Sequence, residues 1–223
     1  MIPILIIGKS GAGKSASLRN LPTQGTVVVN VLGKPLPFRS DLLTINCNDY
    51  PSIQTIVRAG RTKAGEYERL VIDDFGYLMT DQFMRALGAK GTGQDMYALY
   101  SQIGLSIWEF VKTIQQHPSS ARVYMMMHEE TDDYGNVKPR TLGKLVEQKI
   151  CLEGMVTICL RAVVNNRGEH RFLTNSNGMD VTKTPMEMFE AMEIDNDLAL
   201  VDKTIVEYYN IDNTKGENNN AET

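Results

Sequence analysis

Eight residues close to the amino terminus, Gly8-Lys9-Ser10-Gly11-Ala12-Gly13-Lys14-Ser15, satisfy the pattern G-x-x-x-x-G-K-[ST] at every fixed position. An apolar run from Ile2 to Ile7 precedes them, and a stretch that can be helical leads from Lys14 to just before Pro22. A continuous apolar run reads as a strand buried on both faces. Glycines at these positions let the backbone turn tightly between strand and helix. Strand, glycine-rich loop and helix in that order predict a parallel sheet with helices packed over it. At average composition, with Gly near 7%, a chain of this length meets the pattern by chance roughly one time in a hundred.

A loop of this kind turns consecutive N–H groups inward as an anion nest, and the following helix adds its positive end. Residues Gly8, Lys9, Ser10, Gly11, Ala12, Gly13, Lys14, Ser15 and Ala16 are therefore expected to cradle the phosphates of a nucleoside triphosphate. Lys14 would reach the β- and γ-phosphates as a catalytic cation, and the Ser15 hydroxyl would bind Mg²⁺. A plain strand-to-helix turn has no need of Lys-Ser after its last glycine.

A metal on a triphosphate needs an acid. Arg69-Leu70-Val71-Ile72-Asp73-Asp74-Phe75 is a short apolar strand ending in two carboxylates, the Walker B pattern. Asp73 is its Mg²⁺ partner, directly or through water. Asp74 either orients the attacking water or caps the next helix. A third apolar run, Arg122-Val123-Tyr124-Met125-Met126-Met127, ends at His128-Glu129-Glu130. Parallel strands gather their carboxyl ends where ligands bind, which makes His128 the candidate γ-phosphate sensor. His117 and His170 have no such setting.

Net charge is −4, so the surface as a whole does not attract nucleic acid, and any DNA contact must come from local basic segments. No apolar run approaches the roughly 20 residues of a membrane span. Cys47, Cys151 and Cys159 lack metal-ligand spacing and read as reduced cysteines of a cytoplasmic protein.

Strands are expected near 2–7, 26–31, 42–46, 69–74 and 122–128. Helices are expected from Pro51 to about Ala59 and over 96–116, where Tyr100, Ile103, Ile107, Val111 and Ile114 recur at helical spacing. Trp108 is assigned to the core. Residues 131–136 read as a turn-rich tip. Met155 to Val164 and Arg171 to Thr174 read as an antiparallel pair about an Asn-Asn-Arg-Gly turn, followed by a last helix over 196–209. The expectation is one α/β domain over 1–211, mostly parallel, with helices on both faces. A polar, disordered tail is expected over 212–223.

The P-loop, the Walker B strand, the histidine-ended strand, Gly33-Lys34-Pro35-Leu36-Pro37-Phe38, Thr141-Leu142-Gly143-Lys144-Leu145 and Lys183-Thr184-Pro185-Met186-Glu187-Met188-Phe189 together resemble the phage-encoded RecA-like P-loop ATPases. These small AAA-domain proteins include the Sak-type proteins of single-strand annealing and recombination. The resemblance covers about residues 1–192. It implies ATP and Mg²⁺ as cofactors and single-stranded DNA as partner. It also implies a homo-oligomeric ring or filament with nucleotide near a subunit boundary. The segments facing DNA would carry Arg85 and Lys90, then Lys138 and Arg140, and Arg161 or Lys183 would supply a charge in trans. The tail could recruit a single-strand-binding protein.

One departure stands out. RecA-like enzymes place a glutamate just beyond the strand after the P-loop helix, where this chain has Asn30-Val31-Leu32-Gly33. Either Asp74, Glu129 or Glu130 substitutes in water activation, or hydrolysis is slow and the protein is a nucleotide-dependent loader or interaction module. A small-molecule kinase fits less well, because the 129–141 segment holds one arginine rather than an arginine-rich lid. A GTPase fits less well again, since no Asn-Lys-x-Asp occurs.

Overall fold

The computed structural model describes residues 1–90 and 96–211, with the backbone alone for Ala89 and Lys90. The expected tail and the Gly-rich end of the 85–94 segment lie outside these residues. Five expected strands form as β1 (Ile2–Gly8), β2 (Thr26–Asn30), β3 (Leu43–Asn46), β6 (Arg69–Asp73) and β7 (Arg122–Thr131). Between β3 and β6 come α1 (Tyr50–Ala59) and a small hairpin of β4 (Arg61–Thr62) and β5 (Gly65–Glu66). Beyond β6 lie α2 (Tyr77–Lys90) and α3 (Met96–Gln116), and beyond β7 lie β8 (Val137–Pro139) and α4 (Lys144–Glu147). The chain then runs through β9 (Ile158–Val164), β10 (His170–Leu173), β11 (Glu193–Asp195) and α5 (Leu198–Tyr208).

The main sheet runs β11-β10-β9-β1-β7-β6-β2-β3, with β8 paired to β7 outside that path. From β9 to β3 every pairing is parallel, while β10 and β11 add antiparallel strands at one edge. The expected antiparallel pair is therefore β9 and β10, and its first member also belongs to the parallel core. Register decides the site: Gly8 stands beside His128 on one side and Ala162 on the other, and Asp73 stands beside Asn30. The phosphate loop, both carboxylates and the histidine thus leave the sheet at one rim.

Alternation along the strands sorts the core into two layers. Leu5, Ile7, Val29, Ile72, Met125 and Met127 face α1 and α3, packing on Ile53, Val57, Ile103, Ile107 and Val111. Ile4, Ile6, Val28, Val71, Tyr124 and Met126 face the other way, onto Leu18, Leu198, Val201 and Ile205. Each such side chain contributes about 1.5–3 kcal/mol on burial. Asp49 caps α1 by accepting from the Ser52 N–H at 2.9 Å, with Pro51 in the first turn and Gly60 ending the helix at φ 62°.

Trp108 corrects an expectation: it is 45% exposed. It follows Ile107 on α3 and so stands about 100° round from the buried stripe. The helix after the phosphate loop forms where expected, over Ser15–Asn20, but as a six-residue 3₁₀ turn. A turn of that length carries little macrodipole, so the loop amides bear more of the anion binding.

At the opposite end of the strands, Asp202 of α5 accepts from Arg122 Nε at 2.8 Å, Arg122 Nη2 at 2.9 Å, Arg69 Nη1 at 3.1 Å and the Tyr124 hydroxyl. This buried cluster fastens the last helix to β6 and β7. No helix among the described residues is long and apolar enough to cross a membrane.

Candidate nucleotide site

Gly8 is required by close approach: a Cβ there would lie 2.7 Å from the Ala162 carbonyl oxygen. Gly13 is required by conformation, with φ at 99°. Between them Lys14 folds back over its own loop. Its Nζ donates to the Gly8 carbonyl at 2.7 Å and the Lys9 carbonyl at 2.9 Å. Burial pulls the Lys14 ammonium below the usual lysine range, while Asp74, Asp73 and Glu129 oppose that pull. The ammonium is poised over the loop, and phosphate oxygens would be stronger partners than two carbonyls.

The Ser15 hydroxyl donates to Asp73 Oδ1 at 3.0 Å. Burial raises the Asp73 carboxyl, with Asp74 adding to the rise and the Ser15 hydrogen bond opposing it. A hydroxyl and a carboxylate at this spacing fit a hard divalent cation that keeps most of its water. Mg²⁺ sites of this kind take one or two protein oxygens and complete the shell with water and phosphate. No cluster of three or more His, Cys, Asp or Glu ligands occurs among the described residues.

Asp74 has φ at 63°, the left-handed region that Asp tolerates better than most residues at a local cost. The Phe75 N–H donates to the Met126 carbonyl at 2.8 Å and fixes this turn against β7. The buried Asp74 carboxylate meets Lys34 Nζ at 2.6 Å from Oδ2 and His128 Nε2 at 3.7 Å from Oδ1. His128 packs edge-on against Tyr77, with ring centroids 5.9 Å apart. Burial and then the Lys14 charge lower its pKa, against an opposing pull from Asp74. The water-orienting reading of Asp74 fits this geometry better than helix capping, because the carboxylate turns toward Lys34 and His128.

Several expected site residues are placed elsewhere. Glu129 is buried and accepts both Arg161 Nε at 2.8 Å and Nη2 at 2.9 Å, while Arg161 Nη1 reaches Asp180 at 3.3 Å. Each satisfies the other. Glu129 is thereby engaged by Arg161 rather than free for water activation, and Arg161 spends its charge on Glu129 and Asp180. Lys183 exchanges backbone hydrogen bonds with Cys159, which pairs with Leu5 three residues before the rim. Lys138 is bonded to Glu147 and lies 3.5 Å from Glu130, which offsets its charge. That also removes Glu130 as a free base. Arg85 donates to Asn48 Oδ1 at 2.6 Å in a separate cleft. The Lys90 side chain lies outside the described residues.

Arg140 differs from these. Its N–H donates to the His128 carbonyl at 2.8 Å, and its exposed side chain lines a cavity of about 430 Å³ with Tyr77, Thr80, Tyr100 and His128. Other neighbours were not expected from the sequence at all. His170 and Asn196 crowd Gly13, each with a polar atom 3.0 Å from where a Cβ would sit. Nothing local marks them, since β10 and the approach to α5 reach the loop only through the tertiary fold. Lys34 did carry a signal, lying just beyond the strand that ends in Asn30.

A family model described as AAA domain matches residues 2–186. The chain belongs to the AAA-domain family. As an AAA domain it is an ATP-binding P-loop protein of α/β fold. No curated protein matches it. Among solved structures it is similar to a prototypical ATPase from the type III secretion system of pathogenic bacteria. Identity is 13% and the TM-score 0.46, over 74% of this chain and 51% of that one. This AAA domain thus spans about half of that protein's length.

Proposed function

We propose that this AAA domain hydrolyses ATP with Mg²⁺ and uses the cycle to act on single-stranded DNA as an oligomer. The task would be annealing or recombination, as the Sak-type resemblance implies. The observation that carries the nucleotide chemistry is the meeting of Lys14, the Ser15–Asp73 pair, Asp74 and His128 at one rim. In this reading the loop amides and Lys14 hold the β- and γ-phosphates, and Ser15 and Asp73 hold the metal. Mg²⁺, when bound, neutralises charge on the β- and γ-oxygens. His128 donates a hydrogen bond to a γ-oxygen. Asp74 orients a water and takes its proton as the water oxygen bonds to the γ-phosphorus. The bond from phosphorus to the β–γ bridging oxygen breaks, and its electron pair leaves with ADP.

Arg140 supports the DNA part. It lines the His128 cavity, so a phosphodiester on Arg140 would lie next to the γ-phosphate sensor. The double variant Lys138→Ala/Arg140→Ala should weaken single-strand binding and lower the slope of log affinity against log salt by about 1. Arg140→Ala alone should account for nearly all of that change, because Lys138 is already offset by Glu147. An unchanged salt slope would remove this loop from the interface.

The decisive measurement is ATP turnover with and without single-stranded DNA, paired with native mass under both conditions. DNA-stimulated turnover by an oligomer supports the proposal. Tight ATP binding without turnover in either condition supports instead a loader or interaction module. Two features favour that second reading: Asn30 stands where an acid is expected, and Glu129 is sequestered by Arg161.

A further inference from the structure

Lys34 lies on the irregular segment between β2 and β3 and has no part in the hydrolysis proposed above. Its Nζ is 2.6 Å from Asp74 Oδ2, although its side chain is 61% exposed and that of Asp74 only 7%. A cation from the surface therefore covers the buried carboxylate proposed to hold the attacking water. The hydrogen bond to Asp74 raises the Lys34 pKa, so the ammonium stays charged. Its backbone is held apart from that ion pair. Asn30, buried and in register with Asp73, donates its amide to the Lys34 carbonyl. Gly33, at φ 67°, supplies the bend just before it. Asn30, at the position where a base was expected, serves as the bracket for this loop.

We propose that Lys34 is a γ-phosphate gate, an inference that rests on the nucleotide site proposed above. In the nucleotide-free protein the ammonium holds Asp74. When a triphosphate enters, the ammonium transfers to the terminal phosphate and releases Asp74 to hold water. An ion pair with one exposed partner is weak, so it yields readily to a phosphate bearing more charge. A diphosphate leaves the pair in place, because it presents nothing at that position. Water is therefore positioned only when there is a γ-phosphate to attack. The charge that the family resemblance assigns to a neighbouring subunit is, in this chain, supplied in cis.

The test compares a non-hydrolysable ATP analogue with ADP, each with Mg²⁺, by calorimetry. Lys34→Ala should leave ADP affinity within about twofold and lower analogue affinity about tenfold, with turnover down about 10²-fold. Lys34→Arg should restore most of the analogue preference, which a purely steric role would not allow. Asp74→Asn covers the case in which the alanine variant folds poorly. With its competitor neutralised, Lys34 should bind the analogue several-fold more tightly while ADP affinity stays constant and turnover is lost. An analogue-to-ADP ratio unchanged from wild type in Lys34→Ala, or in Asp74→Asn, overturns the gate. Failure of the wild-type protein to bind either nucleotide would overturn the underlying nucleotide site instead.

Discussion

Replacing Lys14 with alanine should remove ATP turnover, by about 10²–10³-fold, while leaving a folded protein. The two halves of that result have separate physical causes. Lys14 folds back over the phosphate loop, and its Nζ already bridges the Gly8 and Lys9 carbonyls that frame it. Without it, a polyanion in the cradle meets Asp73 and Asp74 with less positive charge to offset them. The fold survives because burial disfavours the ammonium in the empty site, so its removal costs little stability. Circular dichroism and thermal melting should match wild type, while calorimetry shows ATP affinity lost. A variant that turns over ATP at the normal rate would show that another group holds the β- and γ-phosphates.

Asp202→Ala should have the opposite signature, a large loss of stability far from the chemistry. The carboxylate is buried and is shared by Arg69, Arg122 and Tyr124. Its removal strands two guanidinium groups whose remaining acidic neighbour, Glu68, is half exposed. Breaking a buried pair in this way costs about 3–5 kcal/mol, against a typical total of about 5–15 kcal/mol. For a domain of this size the melting temperature should fall roughly 6–20 °C. A fall of less than about 3 °C would mean that the cluster is not what holds α5 in place. Acidity supplies a second check. Burial alone would raise the Asp202 carboxyl, but the Arg122 hydrogen bonds and charge, then Tyr124 and Arg69, bring it below the usual carboxylate range. A group depressed on folding stabilises the protein fully above its unfolded pKa, near 4, and loses that contribution as pH falls through the lower folded value. The wild-type protein should therefore lose stability more steeply than Asp202→Ala as pH drops below about 4.

The sequence carried the parallel core almost whole, and for a stated reason. Ile2 to Ile7, Leu70 to Ile72 and Val123 to Met127 are apolar at every position. Only a strand covered on both faces tolerates that pattern. The long helix was legible because Ile103, Ile107, Val111 and Ile114 keep helical spacing, and the adjacent Trp108 fell outside the stripe for the same geometric reason. A helix after Asp74 was expected, but the extent of α2 was not legible: its residues Leu78, Met79 and Phe83 share the segment with Asp81, Gln82 and Arg85 without a clean stripe. β11 was missed because three residues, Glu193, Ile194 and Asp195, carry no period; they pair only because Arg171, Phe172 and Leu173 present a free edge.

The site divides along the same line. The phosphate loop and the Asp-Asp strand end are local patterns, since their chemistry depends on residues adjacent in the chain. Partnerships between strands are not local, and there the expectations went wrong. Glu129 and Arg161 looked like free functional groups until β7 and β9, on either side of β1, brought them together. Lys34, His170 and Asn196 joined the site only because their loops and strands converge on the rim.

Sequence alone determined that an anion cradle follows a buried strand and that a carboxylate ends another, because glycine conformation and hydrophobic patterning act over a few residues. Tertiary structure decided which charges are free and which are spent on one another, because an ion pair depends on distance in space between residues far apart in the chain.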